Sequence, residues 1–181
     1  MADIPPLAAL GRRIMVLGLT NSGKSTLTRA IGMRTGIPAV HLDQFRHLPR
    51  TNWEERGDAE FKALHDAAVA TNEWVMDGSY SKIMAPRLAR VTGIIVLDEA
   101  LAVRLRRYVW RTLWQKQRAG GLEGDQDSLR WHMLAWLWKT RNGSEGIRDL
   151  ARRTGVAYVF CQNQRELDAL YQAWGLGRPR S

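Results

Sequence analysis

The chain has 181 residues, of which 45% are hydrophobic and 25% are charged, as is typical of one globular domain, and we expect a single cytoplasmic domain over residues 1–181. Its formal net charge of +9 comes mainly from residues 103–153, and so local a positive field attracts nucleotide phosphates or nucleic acid. The lone cysteine, Cys161, excludes an intrachain disulfide, and no stretch approaches the about 18 consecutive apolar residues of a membrane-spanning helix.

Short apolar segments alternate with helical stretches, the pattern of an α/β protein with a parallel sheet. The first predicted strand, 14–17, leads into a glycine-rich turn and a helix over 25–35. A second strand covers 38–43, and the start signal at Asn52 predicts an amphipathic helix that ends near Ala70. The remaining predicted elements are strands at 74–77, 94–98 and 157–160, helices at 104–117 and 128–139, and a last helix that opens at Asn163 with Glu166 as its capping partner.

The glycine-rich turn reads Gly-Leu-Thr-Asn-Ser-Gly-Lys-Ser over 18–25 and matches the pattern GxxxxGK[ST] in full, between a strand and a helix. Glycines let several backbone N–H groups point at one anion, and the helix start adds partial positive charge. Lys24 places a charge on the β- and γ-phosphates, and the Ser25 hydroxyl suits a Mg²⁺ ligand position. The motif predicts ATP bound with Mg²⁺, contacted by Gly18, Asn21, Ser22, Gly23, Lys24, Ser25 and Thr26.

Three carboxylates, Asp43, Asp77 and Asp98, each end an apolar segment. Ligands of an open α/β sheet bind outside the carboxyl ends of the strands, so all three can order Mg²⁺ or accept a proton. Gly78 follows Asp77 and permits close approach of a substrate. Asp98 with Glu99 is similar to the aspartate-glutamate pair of hydrolysing ATPases, or else Asp98 caps the next helix, and both interpretations stay open.

The four histidines do not amount to a metal-ligand set. Alternation along the predicted second strand places His41 and Asp43 on one side, but two groups fall short of a coordination sphere. We interpret the histidines as packing or surface groups; they are His41, His47, His65 and His132.

Several motifs follow the phosphate loop in a fixed order: His41-Leu42-Asp43, Trp53, the segment 74–80 that reads WVMDGSY, Arg87-Leu88, and the strand that ends in Asp98. In this order they resemble the FlaR-like proteins, an adenylate-kinase-related group often labelled DNA topology modulation proteins. The resemblance covers most of residues 14–115. It implies a P-loop NTPase with a nucleoside-monophosphate-kinase-like core: a five-stranded parallel sheet of order 2-3-1-4-5, flanked by helices, with a helical lid.

The resemblance also implies roles for single residues. Asp43 would face the phosphate acceptor, and Arg87 would approach the same acceptor. Asp77 with Gly78 matches the third-strand aspartate that orders Mg²⁺. One departure lies next to it, because Ser79 stands where the family commonly has Asn.

Further implied roles lie after the fourth strand. Arg107 and Arg111 match an arginine pair, and their spacing of four residues places them on one helix face. Arg118 is a candidate lid arginine, although the family's Arg-Pro-Asp lid element is absent from the sequence. Asn163 falls in the loop that holds the adenine ring in such kinases.

The lid and a basic, tryptophan-rich insertion are predicted at about 112–145. Its arginines suit a kinase lid that gathers charge on the transferring phosphoryl group. Tryptophans among basic residues also suit stacking on nucleic acid, which is the least favoured interpretation, and helical spacing favours packing of the aromatic side chains. The tryptophans concerned are Trp110, Trp114, Trp131, Trp136 and Trp138.

The sequence thus predicts a kinase that transfers the γ-phosphoryl group of ATP to a small-molecule acceptor, which is a nucleotide, a nucleoside or a hydroxylated metabolite. The alternative is a regulatory ATPase, or a nucleotide-dependent binding module, that acts on DNA or a protein partner. No membrane partner is expected, and the oligomeric state stays open. The predicted catalytic residues are Lys24, Asp43, Asp77, Arg107, Arg111 and Arg118.

Overall fold

The computed structural model describes residues 4–51, 53–114 and 144–177. Its strands form one parallel sheet in the order β2-β3-β1-β4-β5. The predicted strand order is therefore confirmed. The strands are β1 (Arg13–Gly18), β2 (Ala39–His41), β3 (Trp74–Asp77), β4 (Gly93–Leu97) and β5 (Ala157–Cys161).

Helices connect the strands and flank the sheet. Within the described ranges, no helix is both long and apolar enough to cross a membrane. Most of the predicted lid, residues 115–143, lies outside the described residues, and with it the predicted helix at 128–139 and Arg118. The α-helices are α1 (Lys24–Thr35), α2 (Leu42–Arg46), α3 (Asp58–Ala70), α4 (Ala85–Leu88), α5 (Leu101–Trp114), α6 (Ser144–Arg153) and α7 (Gln164–Ala173), with short 3-10 helices at Leu7–Leu10 and Ser81–Ile83.

The core lies on both faces of the sheet because alternate side chains of each strand point to opposite sides. In β1, Ile14 and Val16 pack with α1 and α7, whereas Met15 and Leu17 pack on the other face with α3 and α6. All four side chains are at most 1% exposed. A strand buried on both faces is held firmly, and β1 is the strand that carries the phosphate loop.

Two predicted boundaries near the site are wrong. The second strand ends at His41 rather than at Asp43, because its partner β3 ends at Asp77, which pairs with His41. The chain then turns directly into α2, which buries Leu42 completely and carries Asp43 in its first turn. The helix predicted from Asn52 begins only at Asp58; Asn52 itself is not described.

The buried face of α3 includes His65, which is fully buried beside residues one turn away on either side. Burial lowers the pKa of His65 below its usual 6.5. As pH falls below about 6.5, His65 is protonated in the unfolded chain but stays neutral in the folded protein. The folded state therefore loses stability relative to the unfolded state as pH falls. We expect the free energy of unfolding to fall between about pH 7 and pH 5.5, as urea titrations would measure.

A His65→Leu variant should show a flatter dependence on pH over the same window. Most carboxylates titrate below this window, so they contribute little to the slope. An unchanged slope in the variant would mean that another group is responsible.

Candidate functional site

The phosphate loop joins β1 to α1, and its backbone requires glycine at two positions. Gly18 has φ 142°, and a Cβ atom there would lie 2.2 Å from the carbonyl oxygen of Leu97. Gly23 has φ 99° and precedes the first residue of α1. These left-handed conformations are open to glycine at little cost. The local sequence therefore folds as a tight turn pressed against the end of β4.

The first turn of α1 offers its N–H groups to an anion. The residue before this helix is Gly23, which has no side chain to cap it, and the helix start carries the positive end of the helix dipole. Lys24 donates from Nζ to the carbonyl oxygen of Leu19, at 2.8 Å, across the loop. Ser25 is half-buried and Thr26 exposed at the same turn. The arrangement suits a phosphate group.

An arginine that the sequence analysis missed lies against this loop. Arg104 of α5 is fully buried and donates from Nε to the carbonyl oxygen of Thr20, at 2.8 Å. Its two terminal nitrogens, Nη1 and Nη2, are also buried, and neither has an acceptor within the described ranges. Burial lowers the pKa of Arg104. A buried guanidinium with unpaired nitrogens is stabilised by a bound anion. Arg104 contacts the loop that is predicted to bind one.

The helix that carries Arg104 also carries Arg107 and Arg111. Spacings of three and seven residues place all three on one helix face. This shared face is the sequence signal that could have identified Arg104. The side chains of Arg107 and Arg111 lie outside what the structure describes.

Asp77 and His41 form a pair at the carboxyl ends of neighbouring strands. They are register partners of β3 and β2, and His41 Nδ1–H donates to Asp77 Oδ2 at 2.6 Å. Their side chains are 3% and 9% exposed. The packing role predicted for His41 is therefore incomplete, because its ring makes a polar contact to a predicted metal ligand.

The carboxylate of Asp43 accepts a hydrogen bond from a tyrosine. Tyr80 donates its hydroxyl to Asp43 Oδ1 at 2.6 Å, a length typical of a bond to a charged acceptor. Burial, with the charge of Asp43, raises the pKa of Tyr80 far above its usual value. The ring of Tyr80 also packs edge-on against Phe61, with centroids 5.0 Å apart. Asp43 is thus held in orientation by a half-buried neighbour that packs against the core.

Arg87, predicted to approach the acceptor, lies beneath the loop at 78–80 with no exposed surface. It donates to the carbonyl oxygens of Gly78 at 2.7 Å and Ser79 at 2.9 Å, with a longer contact to Tyr80. Burial lowers the pKa of Arg87 to about 10. In this structure its guanidinium fixes the loop that presents Tyr80, a residue strained at φ 27°.

Asp98 contacts α6 and the end of β5. Its carboxylate forms an ion pair with Arg148 of α6, and its backbone N–H donates to the carbonyl oxygen of Cys161 at 2.7 Å. Glu99 is 5% exposed. The ion pair turns Asp98 toward α6, which disfavours its predicted role as the metal ligand of a hydrolysing ATPase.

Asn163 caps α7, as its sequence pattern predicts. Its Oδ1 accepts from the backbone N–H of Glu166 at 3.0 Å, and the Glu166 carboxylate accepts from the backbone N–H of Gln162 at 2.7 Å. Burial raises the pKa of the neighbouring Cys161 thiol to about 12, so that thiol is unreactive at neutral pH. Contact of Asn163 with adenine stays a prediction.

Comparison with known proteins finds similarity in structure alone. No family model matches the chain, and no curated protein matches it either. An unliganded sugar kinase from Janibacter sp. HTCC2649 matches with a TM-score of 0.51 and 14% identity, over 90% of this chain and 91% of that one. The chain therefore shares its overall fold with that sugar kinase. A shikimate kinase from Acinetobacter baumannii, solved with shikimate, matches with a TM-score of 0.48 and 16% identity, over 91% of this chain and 92% of that one.

Within this kinase-like fold, the predicted site residues divide into two groups. Three neighbouring strands, β1, β3 and β2, carry at their carboxyl ends the phosphate loop, Asp77 and Asp43, respectively. These groups therefore share one edge of the parallel sheet. Arg87 supports that edge from below, and Asn163 begins a helix after β5. The relation to the FlaR-like proteins stays a prediction from the order of motifs.

Proposed function

We propose that this protein is an ATP-dependent kinase that transfers the γ-phosphoryl group to a hydroxyl or phosphate group of a small molecule. The observation that carries the proposal is the row formed by the phosphate loop, Asp77 and Asp43 across β1, β3 and β2. A fixed carboxylate two strands away from the phosphate loop provides for a second ligand.

The residues at the loop fit a nucleoside triphosphate. Three features favour negative charge at the loop: the first turn of α1, the Lys24 ammonium and the buried Arg104 guanidinium. For Mg²⁺, the Ser25 hydroxyl and the Asp77 carboxylate supply the oxygen ligands that this ion prefers. Bound Mg²⁺ would neutralise charge on the β- and γ-phosphates.

The protein's own contribution to transfer is positioning and charge stabilisation. Asp43, oriented by the Tyr80 hydroxyl, would hold the attacking group of the acceptor and receive its proton. Lys24 would hold the phosphates in line with that group. Arg107, Arg111 and Arg118 are proposed to gather charge on the transferring phosphoryl group, as lid arginines do in this reaction class.

The competing interpretation is a regulatory ATPase or a nucleotide-dependent binding module acting on DNA or a protein. Its support in the sequence is Asp98 with Glu99 and the basic segment at 112–145. The ion pair between Asp98 and Arg148 removes part of that support. We therefore favour the kinase, in a cytoplasmic setting, over the alternative.

The proposal is tested by offering labelled ATP and Mg²⁺ with a mixture of nucleoside monophosphates and small hydroxylated metabolites, and with water alone. We expect label on an acceptor at a rate well above hydrolysis. Asp43→Asn should lower transfer about 100-fold or more, because a positioned proton acceptor contributes that much. ATP affinity should change by no more than about twofold, since Asp43 lies two strands from the loop.

The matched control is Asp149→Asn, which neutralises an exposed carboxylate on α6 and should leave transfer unchanged. Hydrolysis in water with no labelled acceptor would favour the ATPase. Full transfer activity in Asp43→Asn would show that the acceptor site lies elsewhere.

A further inference from the structure

The contact between His41 and Asp77 links two residues 36 positions apart in the sequence. Their strands are parallel, and both residues are the last of their strands at the edge that carries the phosphate loop. Asp77 is also the register partner of Val16, two residues before Gly18. The pair therefore lies beside the place where the phosphates are proposed to bind.

The side chain of Asp77 is 3% exposed, and a buried polar group needs hydrogen-bond partners. The Nδ1–H of His41 supplies one such partner at 2.6 Å. With Asp77 ionised, the proton on that bond belongs to the imidazole, and the bond fixes the orientation of both groups. A carboxylate accepts at both oxygens, so the bond at Oδ2 leaves Oδ1 able to serve another ligand.

We infer that His41 is a positioning residue for the magnesium site: its Nδ1–H orients the Asp77 carboxylate for the metal-nucleotide complex. The inference rests on the proposed function, since it requires ATP and Mg²⁺ at the loop. Partners that orient metal ligands commonly affect metal affinity by about 10- to 100-fold. His41 acts through Asp77 and need not touch the metal, the nucleotide or the acceptor.

The test compares the dissociation constant of ATP measured by calorimetry with excess MgCl₂ and again with EDTA, for the full chain. The ratio of the two constants is the gain in affinity due to Mg²⁺. His41→Leu should lower this gain about 10-fold or more. Affinity in EDTA should stay within about twofold of wild type, since the phosphate loop is unchanged.

Conservative variants separate positioning from packing. The amide N–H of Asn occupies the place of Nδ1–H, so His41→Asn should restore most of the gain. Gln carries its amide one carbon further, so His41→Gln should not restore it. These two variants keep the test decisive even where His41→Leu fails to fold. His47→Leu, which removes a half-buried imidazole after α2, is the matched control and should keep the gain due to Mg²⁺.

The outcomes separate this inference from the proposed function. A wild-type protein that binds no ATP under either condition overturns both. ATP binding with no gain from Mg²⁺ overturns the metal site, and the inference with it, but leaves nucleotide binding intact. A normal gain in His41→Leu, or equal gains in His41→Asn and His41→Gln, overturns only the role of His41.

Discussion

Replacing Lys24 with Ala should weaken ATP binding by about 100-fold, since two hydrogen bonds between a charged donor and phosphate oxygens are worth at least that much. Lys24 is the first residue of α1, and its ammonium bridges the loop to the carbonyl oxygen of Leu19. When ATP binds, the ammonium can give up its bond to this neutral carbonyl oxygen and donate to two charged phosphate oxygens instead. Calorimetric titration with ATP, in excess MgCl₂, measures the effect.

The matched control is Lys62→Ala, which removes an exposed lysine of α3 paired with Asp66. Its ATP affinity should equal that of the wild type. Thermal unfolding of the ligand-free proteins measures separately any change in stability, since Lys24→Ala also removes the bond to the carbonyl oxygen of Leu19. An unchanged ATP affinity in Lys24→Ala would remove the phosphate-loop assignment altogether.

The fold could be predicted because its signals are local. Each strand is a short apolar segment, and β3 was predicted with its observed bounds, Trp74–Asp77. The phosphate loop is a contiguous motif whose glycines are required by backbone geometry at positions 18 and 23. The cap of α7 depends on residues only three apart. Such features need no knowledge of distant neighbours.

The details of the site depend on contacts between distant segments. Nothing near His41 in the sequence indicates that its Nδ1 lies 2.6 Å from Oδ2 of Asp77. Likewise, Asp43 lies outside β2 because the partner strand β3 ends at Asp77, which pairs with His41, and only the paired register shows this. Polar residues of one strand can be placed by alternation, but their partners across the sheet cannot.

Arginines are the residues that the sequence places least well. Arg87 is predicted to face an acceptor, and the structure shows it buried, donating to backbone carbonyl oxygens of the loop at 78–80, which the sequence did not indicate. Arg104 shares a helix face with two predicted site arginines of α5, but its burial against Thr20 is visible only in the structure. A long cationic side chain is equally compatible with solvent, a core position or an anion site. The choice is made by tertiary packing.

Replacing Arg104 with Met should change two properties in opposite directions. Met keeps much of the apolar length but removes a buried charge whose Nη1 and Nη2 lack acceptors in the described part of the chain. Relief of that desolvation outweighs the lost bond to Thr20, so the ligand-free protein should gain about 1 kcal/mol in free energy of unfolding. ATP affinity should fall about 10- to 100-fold, since a guanidinium no longer faces the phosphates.

Urea unfolding without nucleotide and calorimetric titration with ATP measure the two changes on the same preparations. Arg106→Met alters an exposed position of the same helix and should move neither property. If Arg104 instead had a structural role, with all its donors bonded to protein groups, its replacement would lower both the free energy of unfolding and the affinity for ATP. The opposite signs are therefore specific to a guanidinium kept for a ligand, and a loss of stability in Arg104→Met would assign it to the fold instead.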